Sequence, residues 1–200
     1  MSAAASAEGE VELVTDRLVL RLAADHEARL VLDYFARNRA HLERWEPEAP
    51  PGFYTEAFWL DRLANHRRER DADRAYRFHL FERPSGRVIG TVGLSNVARG
   101  CFHSANFGFG LCASREGQGV MREACEAVIA HAWDELCLHR LEASHRPENV
   151  RSATLLRRLD FVPFGYARDY LLIAGSWVDH VTTQRINPRW LPPAPREAGQ

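Results

Sequence analysis

Residues 108–124 read GFGLCASREGQGVMREA, and the order of features in this stretch decides the fold. A strand ending near Cys112 runs into a loop with two glycines, and a helix starts within that loop. The first turn of a helix has unpaired N–H groups and partial positive charge, which suits an anionic phosphate. Gly117 and Gly119 let backbone amides approach such a group with no Cβ in between. An ordinary strand–helix turn has the same pattern, so the loop alone does not separate the two readings. A P-loop needs Gly-Lys-Ser/Thr, and here Gly119 is followed by Val120 and Met121. A dinucleotide fingerprint needs a third glycine where Arg122 stands. Glu142 lies roughly where a ribose-binding acid is expected, but that fold opens on its loop, and here a meander of strands comes first.

Downstream, a long amphipathic helix is expected from Gln118 to Leu136, with Met121, Cys125, Val128 and Ala132 on one face. A strand follows at Arg140–His145, then a helix opening at Asn149. A last strand pair, 165–173 and 176–186, turns at Ala174-Gly175. Upstream, 76–81, 88–94 and 105–112 have strand length and composition. Pro84-Ser85-Gly86 makes the first two a hairpin. Before them, Val11 to Leu22 reads as one strand. Asp25 caps a helix to about Ala36, a shorter piece spans 40–45, and Thr55 starts a helix ending near Arg70. The prolines of 46–52 (EPEAPPG) forbid regular structure there. The expected fold is α/β (α+β): a mixed, mostly antiparallel sheet with helices on both faces.

The 200 residues are 46% hydrophobic, enough for one sizeable core and too few for two. A single domain over 11–190 is expected, with disordered tails at 1–10 and 191–200. The net charge of −1 gives no global field for nucleic acid or anionic lipid, so neither direct DNA binding nor membrane association is expected. Arg67, Arg68 and Arg70 read as a solvated helix face, although an RNA-containing partner could use them. The four cysteines lack CxxC spacing and read as buried free thiols in a reducing compartment. There is no signal peptide and no run of eighteen apolar residues, so a cytoplasmic location is expected. The histidines show no HExxH or cysteine-paired spacing, so no metal is expected.

Several blocks together resemble the GNAT acetyltransferase superfamily and, within it, the RimJ/RimL group that acetylates ribosomal-protein N-termini. They are Thr15 to Arg21, Asn38 to Pro47, Ser95 to His103, Gly117 to Ala124, Asn149 to Ser152, and Asp169 to Ile173, the last resembling the RimJ branch. The resemblance covers about residues 13 to 190. It implies acetyl-CoA as the acetyl donor, and a V-shaped opening between the strands at 105–112 and 140–145. Pantetheine would lie there against the backbone of Phe109, Gly110 and Leu111. The loop and helix residues Gly117, Gln118, Gly119, Val120, Met121 and Arg122 would hold the pyrophosphate, and Asn149 and Ser152 open a second binding helix. A neutral amine would attack the thioester directly, with a strand-bulge amide stabilising the oxyanion.

For the general acid, Ser152 and Tyr170 both remain open; Ser152 could equally cap its own helix, and Tyr170 could be packing. For the base or substrate orientation the candidates are Glu46, His103 and Asp169. Glu46 would hold the attacking terminus, and a solvated carboxylate is the plainer reading of it. Cys101 and His103 are also spaced for an acyl-enzyme pair, though direct transfer is what the resemblance implies. Two positions depart from the family pattern. Glu116 stands where Gln or Arg is usual and brings a carboxylate toward the expected pyrophosphate, so Glu116→Gln is expected to tighten coenzyme binding. Asp160 replaces a helix-ending glycine, a position Asp tolerates. The implied acceptor is a peptide N-terminus, of a small-subunit ribosomal protein. A small-molecule amine is the alternative acceptor, and a coenzyme-binding ribosome assembly factor the alternative function.

Overall fold

The computed structural model describes residues 11–192; the two expected tails, up to residue 10 and from residue 193, lie outside them. One eight-stranded sheet forms the centre, in the order β1-β2-β3-β4-β5-β6-β8-β7. Its strands are β1 (Glu12–Val14), β2 (Leu18–Arg21), β3 (Tyr76–Glu82), β4 (Val88–Ala98), β5 (Ser104–Leu111), β6 (Arg140–His145), β7 (Val162–Ile173) and β8 (Ser176–Ile186). All neighbours are antiparallel except β5 and β6. The helices are α1 (Ala28–Arg37), α2 (Arg39–Leu42), α3 (Glu56–Asp71), α4 (Val120–Asp134) and α5 (Val150–Arg158).

The helices divide between the two faces. His79 of β3 points at α3, where its ring meets His66, and its Nδ1 accepts from Ala23 N–H just before α1. On the opposite face Tyr76 and Phe78 meet His131 of α4. Phe161, just after α5, stacks on Phe107 of β5. Leu18, Leu20, Leu80, Leu94 and Leu141 are wholly buried between these layers, and burial of such side chains is the main stabilising term of the fold.

Three local expectations change. The segment 11–22 is a hairpin rather than one strand, because the Thr15 hydroxyl accepts from Leu18 N–H and Thr15 N–H donates to Leu18 O, closing a turn at Asp16-Arg17. Asp25 does not cap α1. Its carboxylate pairs with Arg67, a 3-10 turn (Asp25–Glu27) precedes the helix, and Glu27 reaches back to Ala24 N–H. Helix α4 is shorter at both ends than its apolar pattern, since Gly119 and Cys137 take left-handed φ of +74° and +51°. Cys101 and Cys137 are exposed rather than buried, while several other details match. Thr55 caps α3, Asn149 caps α5, and Asp160 ends α5 at φ +59°. Ala174 and Gly175, both at positive φ, form the two-residue turn that suits a twisted hairpin.

Candidate active site

Strands β5 and β6 pair only where Ser104–Asn106 face Arg140–Glu142. Beyond Asn106, β5 stays with β4 while β6 stays with β8, so the two parallel strands part and leave a wedge. A cleft of about 530 Å³ occupies it, with Phe107 to Leu111 along one wall. Cys112 N–H donates to Ile89 O at 2.8 Å, and register with β4 is unbroken from Leu111 back to Asn106. Antiparallel alternation therefore turns the amides of Gly108 and Gly110 toward β4, and those of Phe109 and Leu111 into the gap. Two exposed N–H groups on a strand edge are what an extended amide chain such as pantetheine needs. The expected bulge is not in this part of β5; the irregularity lies between Ser95 and Ala98 of β4, at the closed end of the wedge, where Asn96 adopts positive φ.

At the open end of β5, Gly117 and Gly119 have φ of +73° and +74°, and Gly119 is the N-cap of α4 with no side-chain cap. The first intrahelical bond runs from Glu123 N–H to Gly119 O, so the N–H groups of Val120, Met121 and Arg122 have no partner within the helix. All three residues line the cleft. Glu123 fixes this helix end from behind. Its carboxylate accepts from the Thr15 hydroxyl, Arg17 N–H and the Arg17 guanidinium. Burial pushes its pKa up, but these hydrogen bonds outweigh that and hold it below the usual value. Arg17 also donates to Gln118 O. Gln118 itself does not line the cleft; its side chain donates to Ser114 O and closes the loop.

The other wall comes from α5. Arg151, Thr154, Leu155 and Arg158 line it at the spacing of one helical face. Arg115, Arg122 and Arg146 also reach the cleft, each paired with a carboxylate outside it, Glu82, Glu126 and Glu148, so Arg158 is the arginine most open to an anionic ligand. Glu116 meets Arg151 Nη1 at 2.6 Å and His41 Nε2 at 3.5 Å, so its charge is spent within the chain. Ser152 lies in the first turn of α5, and its N–H donates to Asn149 Oδ1 at 3.1 Å. Asn149 is the cap, which leaves the Ser152 hydroxyl free of that duty.

Glu46 reaches the cleft from the segment between α2 and α3. Its carboxylate is largely buried, and burial pushes its pKa up to about 7. It sits over Gly110, where an added Cβ would stand 3.2 Å from Glu46 Oε1; Gly110 matters for this close approach rather than for its amide. Arg146 secures the segment. Its guanidinium donates to Arg44 O, lies 5.6 Å from the Trp45 ring centre and pairs with Glu148.

Besides Gln118, three expected site residues lie off the cleft. His103 is at the closed end of the wedge, about 26 Å from Leu111 along the strand direction at 3.3 Å per residue. Its carbonyl accepts from His139 and Arg140 N–H and its ring packs on Trp190, so neither a base nor a Cys101 acyl-enzyme role fits it. Asp169 is exposed at φ +48° in the β7 bulge, and its N–H donates to Asp179; it shapes the hairpin. Tyr170 stands outside the cleft wall against His180, which does line the cleft. Among the described residues, no group of three or more His, Cys, Asp and Glu is placed to hold a metal ion, and no helix is long and apolar enough to cross a membrane.

A splayed parallel pair, open amides on both the strand edge and the helix start, and a cationic rim define an acyl-carrier site. The family model "Acetyltransferase (GNAT) domain" matches residues 17–162, and the chain belongs to that family; it is an acetyl-CoA-dependent N-acetyltransferase. It is 40% identical to the [ribosomal protein uS5]-alanine N-acetyltransferase of Escherichia coli (strain K12) over 183 residues, 92% of this chain and 94% of that protein. The crystal structure of ribosomal-protein-S5-alanine acetyltransferase from Vibrio fischeri superposes with TM-score 0.87 at 35% identity, covering 91% of this chain and all of that one. Mycobacterium smegmatis RimJ, solved in complex with CoA-disulfide, superposes with TM-score 0.80 at 26% identity, covering 88% and 86%.

Proposed function

We propose that this enzyme acetylates the α-amino group of a ribosomal-protein N-terminus, with Glu46 as base and Ser152 as acid. The likeness to uS5-alanine N-acetyltransferases over nearly the whole chain supports the acceptor class. The observation that carries the chemistry is a buried carboxylate with a pKa near 7 over the wedge. An α-amine titrates at about 7.7–8.0, so a base near 7 is closely matched to it, whereas a lysine amine near 10.4 is not. Glu46 takes a proton from the amine as nitrogen bonds to the acetyl carbon. Of the two open β5 amides, Phe109 and Leu111, one would donate to the developing oxyanion and the other to pantetheine. The C–S bond then breaks, and the Ser152 hydroxyl passes a proton to the thiolate as it takes one from solvent, to which Glu46 releases the proton it took from the amine. Burial revises the sequence expectation for Glu46, from holding the terminus to moving its proton.

Mass spectrometry of peptides that begin with Ala or Ser and carry an internal lysine tests this reading. Acetylation is expected at the N-terminus alone. Modification confined to lysine, or turnover only with small-molecule amines, would overturn it.

A further inference from the structure

Gly110 has a notch where a side chain would be. An added Cβ would stand 3.2 Å from Glu46 Oε1, 3.5 Å from the Tyr34 hydroxyl and 3.7 Å from Thr91 Oγ1. Three oxygens from three separate segments therefore converge on one point. Tyr34, from α1, is fully buried, yet its hydroxyl has no hydrogen-bond partner. A buried hydroxyl left without a partner costs stability that phenylalanine, of the same shape, would avoid. The Glu46 carboxylate comes to the same point, and its raised pKa has burial as its cause and no hydrogen bond against it.

We propose that Tyr34 is a positioning residue for the base: its hydroxyl donates to the Glu46 carboxylate, directly or through one water, and holds it over Gly110. Gly110 is required because a methyl group would fill the space in which the two groups meet. This inference rests on the reading of Glu46 as the base. Other titratable groups surround the carboxylate. Tyr54 comes from the loop before α3 and feels Glu46; Cys112 at the end of β5 acts on Tyr34. His41, His145, Arg146 and His180 line the same cleft. Of these, Tyr34 alone combines complete burial with an orphaned donor beside Glu46.

The test compares wild type, Tyr34→Phe and Glu46→Gln by thermal melting and by the pH profile of peptide acetylation at saturating acetyl-CoA. Tyr34→Phe is expected to stay folded and to melt within a few degrees of the wild type. Its kcat should fall five- to tenfold with the acetyl-CoA KM unchanged. Its acid limb should move to higher pH, because a carboxylate that loses a donor is easier to protonate. A purely structural tyrosine would not move that limb. A Tyr34→Phe enzyme with wild-type kcat and an unmoved limb, beside a Glu46→Gln enzyme whose limb has fallen to the slope of the α-amine alone, overturns the pairing and leaves the base standing. An acid limb as steep in Glu46→Gln as in the wild type overturns both.

Discussion

On the coenzyme side of the cleft, the groups that face a ligand are main-chain amides: Phe109 and Leu111 on the edge of β5, and the first turn of α4. On the acceptor side they are side chains, Glu46, Trp45, Arg146 and His180, delivered by segments far apart in the chain. The first site is a by-product of strand splay and helix polarity, so it needs little more than two glycines at the right places. The second depends on tertiary contacts such as Arg146 to Arg44 O, which bridges 102 positions. Substitutions should therefore act differently on the two sides. Side-chain changes on the acceptor side should alter turnover, and coenzyme affinity should answer mainly to changes that disturb backbone shape.

The largest effect is expected from Glu46→Gln. Losing a general base lowers kcat by about a hundredfold, at the lower end of the range for such groups. Because the carboxylate must be ionised, activity in the wild type rises as pH climbs through about 7. The α-amine adds its own dependence near 7.7–8.0, so log kcat/KM should climb with a slope near two well below both values. In Glu46→Gln the slope should fall to one. A slope of two in both enzymes would remove Glu46 from the chemistry and break the contrast between the two sides.

A smaller loss, in binding rather than turnover, is expected on the coenzyme side. Gly119→Val places a β-branched residue at φ +74°, a conformation that costs on the order of 1–2 kcal/mol for residues with a Cβ. The Val side chain would also stand beside the amides of Val120 and Met121. Acetyl-CoA affinity should fall tenfold or more, about 1.4 kcal/mol, with the peptide KM little changed. Calorimetry on the folded variant showing wild-type affinity would end the assignment of this loop.

The same contrast explains what the sequence made legible. The strand–loop–helix unit, Asn149 as a cap and the parting of 105–112 from 140–145 follow from local pattern and family resemblance, because backbone geometry is set locally. His103 and Asp169 went astray for a different reason: their side-chain chemistry suits a base, but register puts one at the closed end of the wedge and the other in a bulge. Tyr34 reads as a core aromatic of α1, and its orphaned hydroxyl appears only once β5 is packed beneath it. Arg146 has no signal in the sequence. Arg151 and Arg158 do have one, since seven residues apart on a helix places them on one face with Thr154 and Leu155.

Glu116 gives the finest test, because sequence and structure predict opposite signs. Taken alone, a carboxylate beside a pyrophosphate repels it, and Glu116→Gln should tighten binding. In the folded chain that carboxylate meets Arg151 at 2.6 Å and His41 at 3.5 Å, and so ties the phosphate loop to α5 on one side and to α2 on the other. The pair with Arg151 already offsets the negative charge. What the substitution removes is the tie, and glutamine keeps part of it by accepting one hydrogen bond from the guanidinium. A partly exposed ion pair contributes about 0.5–1 kcal/mol, so acetyl-CoA should bind about two- to fivefold more weakly. Repulsion is screened by salt, so the sign can be read from titrations at low and high ionic strength. Tighter binding that fades as salt is added would mean that Glu116 acts on the coenzyme as a bare charge. Weaker binding at both strengths would mean that it acts through the walls of the cleft. The second outcome is the expected one, and it would make Glu116 the place where a side chain governs an otherwise main-chain site.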